Sequence, residues 1–156
     1  MPDRLSRRLA ELVDALPLWR GIRVLEIGCG PGAAAREVAR RIGDGHILAI
    51  DRSAEAVRQA IAGSSEEIRS GRMSVRQAAV EDFELHQGEK LFNLAFGIRV
   101  GSLDGRHPEL ERRALQRLAQ ALTPDGKLFI DGGDPLREVE LPRRRFGASS
   151  GVDAQR

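Results

Sequence analysis

Ile22-Arg23-Val24-Leu25-Glu26-Ile27 runs straight into Gly28-Cys29-Gly30-Pro31-Gly32. A short apolar, β-branched run of this kind predicts a buried strand. Three glycines in five positions predict a tight turn whose missing Cβ atoms let backbone approach a ligand closely. The Ala-rich stretch 33–42, with Val38 and Ile42, then predicts a helix whose first N–H groups face that turn. Strand, glycine turn and helix in this order are the opening of a wound α/β unit.

The pattern then repeats. Gly43-Asp44-Gly45 breaks the helix, and His46-Ile47-Leu48-Ala49-Ile50 predicts a second strand with Asp51 at its carboxyl end. Ser53 is placed to cap a helix carrying Val57 and Ile61, running past Gly63 to Ser70, with Gly71 as its stop. Met73 to Ala79 predicts a third strand, and Lys90 to Phe96 a fourth. Pro108 suits the first position of a helix with Leu110, Ala114, Leu118 and Leu122 on one face. Thr123-Pro124-Asp125-Gly126 predicts a turn, and Lys127 to Ile130 a fifth strand. Upstream, Leu5, Leu9, Leu12, Val13 and Leu16 predict an amphipathic helix over 3–16, capped by Asp3 and ended by Pro17. Its arginines fit either a solvated face or a contact with a membrane or partner, and the helix lacks the bulky aromatics of a membrane-surface helix.

Alternating units of this kind specify a doubly wound, mainly parallel α/β sheet with helices on both faces. The reading is one domain, 1–156: an N-terminal helical cap at 1–19, a ligand-binding core at 20–131 and a short tail at 132–156. The tail has room for one short strand between Leu136 and Leu141, not for a complete hairpin. The sheet edge is then capped by a partner or left exposed, and the expectation is a homodimer or a trimmed chain.

Composition narrows the partners. The chain has 156 residues, 41% hydrophobic and 31% charged, which is globular. A net charge of +2, no tyrosine and one tryptophan supply neither the basic footprint nor the stacking platform of a nucleic-acid binder. No nucleic-acid partner is expected. A single cysteine forms no internal disulfide and suits a reducing compartment. With no signal-peptide pattern and no run approaching about 20 apolar residues, the expectation is a cytoplasmic protein without a membrane partner. Three scattered histidines and one cysteine make no metal-ligand spacing, so no metal is expected.

Two ligand classes fit the glycine turn. Gly28, Gly30 and Ala33 satisfy the dinucleotide fingerprint, in which a pyrophosphate sits at the helix N-terminus. A nucleoside with an amino-acid tail would lie across the same turn. Glu26 favours the second class, because a carboxylate there repels phosphate and attracts an ammonium or sulfonium. Pro31 removes an N–H that a phosphate would use. Asp51, 19 residues past Gly32, stands where a ribose lies in either class.

The stretch Val24-Leu25-Glu26-Ile27-Gly28-Cys29-Gly30-Pro31-Gly32 resembles the first motif of class I S-adenosylmethionine-dependent methyltransferases. The likeness continues through Gly45 to Ser53, Val80-Glu81-Asp82-Phe83, Phe92 to Phe96, and Leu122 to Leu128, in family order over roughly 20–131. It implies a Rossmann-like methyltransferase fold lacking most of the usual C-terminal antiparallel strand pair. It implies S-adenosylmethionine as cofactor, with Gly28, Gly30 and Gly32 holding the methionine part and Glu26 near its ammonium. Asp51 would accept from the ribose hydroxyls, Arg52 would lie against the adenine, backbone at Val80 would read the adenine edge, and backbone near Gly97 would meet the methionine amino group. Ala79 stands where the family often has an acid, so Glu81 or Asp82 is expected to substitute. Asn93 stands where the fourth strand often starts with Asp.

The resemblance implies methyl transfer. Gly97-Ile98-Arg99-Val100 replaces the Asn-Pro-Pro-Tyr type of motif, which favours a small-molecule acceptor in a pocket shaped by 97–107 and the first helix. No catalytic base is assigned. The alternatives are a cofactor-binding module without turnover and an NAD-dependent oxidoreductase. Cys29 reads as a space-filler, His46 as structural, His86 as a loop residue, His107 as a helix cap or a base, and Arg143-Arg144-Arg145 as a solvated tail or a phosphate site.

Overall fold

A computed structural model describes residues 5–142. Chain order is α1 (Arg7–Ala15), β1 (Arg23–Ile27), α2 (Ala33–Arg41), β2 (His46–Asp51), α3 (Ala54–Gly63), α4 (Ser65–Arg69), β3 (Met73–Gln77), β4 (Phe92–Gly97), α5 (Pro108–Ala121), β5 (Leu122–Asp131) and β6 (Leu136–Val139). Single 3-10 turns follow β3 at Val80–Asp82 and β4 at Gly101–Leu103.

The strands form one sheet in the order β3-β2-β1-β4-β5-β6. The first five are parallel, and β6 runs antiparallel to β5. The chain winds outward from β1 to β3 and then returns to the other side of β1. The order therefore reverses between β1 and β4, where ligands of such sheets gather at the carboxyl ends.

Period-two alternation sends the central strands' side chains into two cores. Val24, Ile47 and Ala49 join one cluster with α1, α2 and α3. Leu25, Ile27, Leu48 and Ile50 join the other, with Ala114 and Leu118 of α5. Both faces of β1 are covered, which is why that strand reads as continuous rather than alternating hydrophobicity.

Several boundaries differ from the sequence expectation. Helix α1 starts at Arg7, because the Ser6 Oγ accepts from the Leu9 N–H at 3.1 Å and caps it there. Asp3 lies outside the described residues, as does Arg143-Arg144-Arg145. The helix expected to run on to Ser70 divides at Ser64, where the Arg36 guanidinium leaves 3.0 Å for any Cβ at Gly63. Strand β3 ends at Gln77 and β4 begins at Phe92. The expected turn at 123–126 is a bulge inside β5: Phe92 pairs with Leu122, and the ladder resumes with Leu94 opposite Lys127. The tail gives one short strand, β6, as read.

Candidate cofactor site

At the carboxyl ends of β1 and β2 lies a cavity of about 330 Å³. Of the nine residues singled out in the sequence, Gly28, Asp51, Arg52, Val80 and Glu81 line it. Gly97 is the register partner of Ile27, so it stands beside the same turn.

The turn has the shape that its glycines predict. Gly28 and Gly30 have φ of 68° and 54°, a region that costs a side-chain-bearing residue about 1–2 kcal/mol. A Cβ at Gly30 would meet nothing within 4 Å, so this bend is open on its ligand side. The Gly30 N–H donates to Asp51 Oδ2 at 2.9 Å, and the Ser53 N–H donates to Asp51 Oδ1 at 2.9 Å. Two backbone donors thus fix the Asp51 carboxylate, and each oxygen keeps a lone pair for a further donor. Gly32 is different. Its Cβ would meet Ala60 Cβ and Arg36 Nη1, both at 3.1 Å, so it serves the packing of α2 on α3 rather than the open side of the turn.

Glu26 lies under the turn, on the α2 face of β1, and is only 3% exposed. Its Oε1 is buried with no hydrogen-bond partner among the described residues. Burial, then the neighbouring Asp51 charge, pushes the Glu26 carboxyl up to about 8, against an opposing pull from Arg36. A buried, partnerless carboxylate oxygen is costly unless something donates to it. The same surroundings push the Cys29 thiol up to about 12. Cys29 is buried in the α2 cluster and is no thiolate nucleophile, so the space-filling reading stands.

Of the two acids expected to stand in for the one missing at Ala79, Glu81 lines the cavity. Its carboxylate pairs with Arg52 Nη2 at 3.1 Å across the cavity mouth. Asp82 points away and pairs with Arg113 of α5. Asn93 sits at the opposite end of the sheet, where its Oδ1 accepts from the Arg23 N–H at 2.9 Å. His46 bridges the Gly71 carbonyl and Ser74 Oγ, a structural role. His107 occupies the position before α5, but its side chain makes no capping bond, and it lines the cavity instead.

Three features were missed in the sequence. Arg36, 5% exposed, donates from Nη1 to the Pro31 carbonyl at 2.9 Å and to Ser64 Oγ at 3.0 Å, tying the glycine turn to the α3–α4 junction. The sequence signal is weak, because the same helix also carries Glu37, Arg40 and Arg41 and nothing local sets Arg36 apart from them. Val100 leans over the turn: a Cβ at Gly28 would be 3.3 Å from its Cγ2, and one at Gly97 only 2.8 Å. Asp131 pins the loop that carries Val100, accepting from the Arg99 N–H and from Arg8 of α1, each at 3.0 Å. Arg99 itself has φ of 57°, the one non-glycine in that region among the described residues.

Comparison with known proteins follows the same outline. A family model described as a methyltransferase domain matches residues 24–126. Nocamycin O-methyltransferase from Saccharothrix syringae is 34% identical over 148 residues, covering 92% of this chain and 49% of that protein. The chain thus spans about half the length of the curated relatives it matches over most of its own length. A crystal structure of a SAM-dependent methyltransferase from Thiobacillus denitrificans with S-adenosyl-L-homocysteine is 23% identical, with TM-score 0.63, over 83% of this chain and 50% of that one. The cyclase SpnF is 28% identical, with TM-score 0.63, over 79% of this chain and 43% of its own. On the family model that matches residues 24–126, the chain belongs to the methyltransferase domain family.

Proposed function

We propose that the chain binds S-adenosylmethionine in this cavity and transfers its methyl group to a small-molecule acceptor. The observation that carries the reading is Glu26, a buried carboxylate with a partnerless oxygen beside an open glycine turn. A ligand with a cationic amino-acid tail satisfies it, whereas a pyrophosphate brings no donor to Glu26 and would face the nearby Asp51 carboxylate.

When bound, the cofactor supplies an electrophilic methyl on a sulfonium. The protein's part is to bind, orient and exclude water. Glu26 accepts from the ammonium, and the backbone of Gly28, Gly30 and Gly97 passes close to the methionine part. Asp51, already held by two backbone donors, presents its remaining lone pairs to the ribose hydroxyls. Arg52 and Glu81, with the backbone of Val80, frame the base. Gly32 supports the turn from behind by packing on α3. Val100 covers the turn and keeps solvent from the reacting side. Alignment of this kind contributes much of the rate in a displacement. The Saccharothrix relative is named an O-methyltransferase, which supports an oxygen atom as acceptor.

Two further readings complete the proposal. The single, buried cysteine supports a cytoplasmic setting. The outer edge of β6, unpaired among the described residues, supports pairing with a second copy. No described helix is long and apolar enough to cross a membrane.

Calorimetry with S-adenosylhomocysteine tests the cofactor assignment, and transfer of labelled methyl tests turnover. Binding without transfer to any acceptor leaves a cofactor-binding module. Binding of NADH in place of S-adenosylhomocysteine overturns the assignment.

A further inference from the structure

A second cavity, of about 420 Å³, adjoins the first at the carboxyl ends of β4 and β5. The two share Arg99 and Val100, so a molecule in the second abuts the covered side of the glycine turn. Three arginines line it: Arg99, Arg106 and Arg137. Its two acids are already engaged. Asp131 accepts from the Arg99 N–H and from Arg8 of α1, each at 3.0 Å. Asp104 accepts from the Arg106 N–H at 3.0 Å and from Arg106 Nε at 2.7 Å.

The arginines that remain are set for a ligand. Among the described residues neither the Arg99 nor the Arg137 guanidinium has an acid partner. Asp131 fixes the Arg99 backbone at φ 57°, which sets where that side chain leaves the loop. Arg137 is the register partner of Ile130 on β5, so a strand ladder holds it at the cavity. The Asp104 carboxylate engages Nε and Nη2 of the exposed Arg106, at 2.7 and 2.6 Å, which leaves its Nη1 for a ligand. All three arginines are exposed at the rim of an open cavity, and guanidinium groups present donors in a planar fork that matches a planar or tetrahedral oxyanion.

We infer that this cavity is the acceptor subsite and that the acceptor is a small oxyanion, bearing carboxylate or phosphate, gripped by Arg99, Arg106 and Arg137. The word acceptor rests on the methyl-transfer reading above; anion binding does not.

The test is calorimetry on the full chain, with S-adenosylhomocysteine and then with three probes: propane-1,2,3-tricarboxylate, its neutral triamide, and glycerol 2-phosphate. At least one anion is expected to bind saturably and more weakly as salt rises, while the triamide is silent. Whichever anion binds tighter names the group. Arg137→Gln and Arg106→Gln are each expected to weaken it about tenfold, and Arg137→Lys to retain part of the affinity. Melting temperature and S-adenosylhomocysteine binding report that the variants are folded. Equal heats from acid and triamide, or wild-type anion affinity in a folded Arg106→Gln/Arg137→Gln double variant, overturn the inference and leave the cofactor reading intact. Arginine-dependent anion binding in a protein that ignores S-adenosylhomocysteine supports the anion site and removes the cofactor reading.

Discussion

Glu26 makes a prediction with a definite sign. In the unfolded chain its carboxyl titrates near 4.5, and in the native state it is pushed up to about 8. The folded protein therefore keeps a proton that the unfolded chain gives up. Its contribution to stability is fully present below pH 4.5, declines as pH rises, and is gone above about pH 8. At about 1.4 kcal/mol per tenfold change in proton affinity, the whole span is worth about 5 kcal/mol. That is a large share of the roughly 5–15 kcal/mol by which domains are stable. Glu26→Gln removes the term, so its melting temperature is expected to vary less between pH 5 and 8 and to exceed that of the wild type at pH 8 by about 10 °C.

The proposed ligand reverses the effect, because an ammonium at Oε1 stabilises the carboxylate. At pH 7 a group titrating near 8 is about nine-tenths protonated. Binding of S-adenosylhomocysteine is then expected to release close to one proton. Titrations at pH 7 in phosphate and in Tris separate this proton from the intrinsic heat, since the two buffers take it up with different enthalpies. Equal heats in the two buffers, or the same release from Glu26→Gln, would refute the pairing of Glu26 with the ammonium.

Other perturbations follow from distances in the site. Asp51→Asn turns an amide N–H toward the Gly30 or Ser53 donor, so it is expected to cost about 1–3 kcal/mol in denaturant unfolding and to weaken S-adenosylhomocysteine at least tenfold in calorimetry. Gly97→Ala sets a Cβ 2.8 Å from Val100 Cγ2 and is expected to cost about 1–3 kcal/mol; adding Val100→Ala returns most of that if the overlap is the cause. Arg36→Ala strands the Pro31 carbonyl and the buried Ser64 hydroxyl, and unfolding is expected about 3 kcal/mol easier, with weaker cofactor binding through a loosened turn. Cys29, pushed up to about 12, is expected to resist iodoacetamide at pH 8 until the protein is unfolded; rapid native labelling counts against its burial.

Much of the architecture is written in short-range patterns. The β-branched run 22–27, the glycines after it and the Ala-rich helix follow from local backbone preferences, and their alternation implies a parallel sheet. Asp51 was legible too, because the end of the second strand is a fixed place in such sheets. Boundaries failed where a tertiary contact overrode the local signal. Helix α3 gives way to α4 at Ser64, where the Arg36 guanidinium bonds, and the β4 ladder draws residues 122–131 into one bulged strand.

The sequence by itself determined the order of elements, the open turn and the carboxylates flanking it, since those depend on neighbours a few residues away. Only the tertiary structure decided what these groups experience. Glu26 is a strained buried acid because α2 and Asp51 close over it, and Arg99 is aimed by Asp131, 32 residues on. Burial and charge act through space, and a one-dimensional pattern carries no distance between residues that folding brings together.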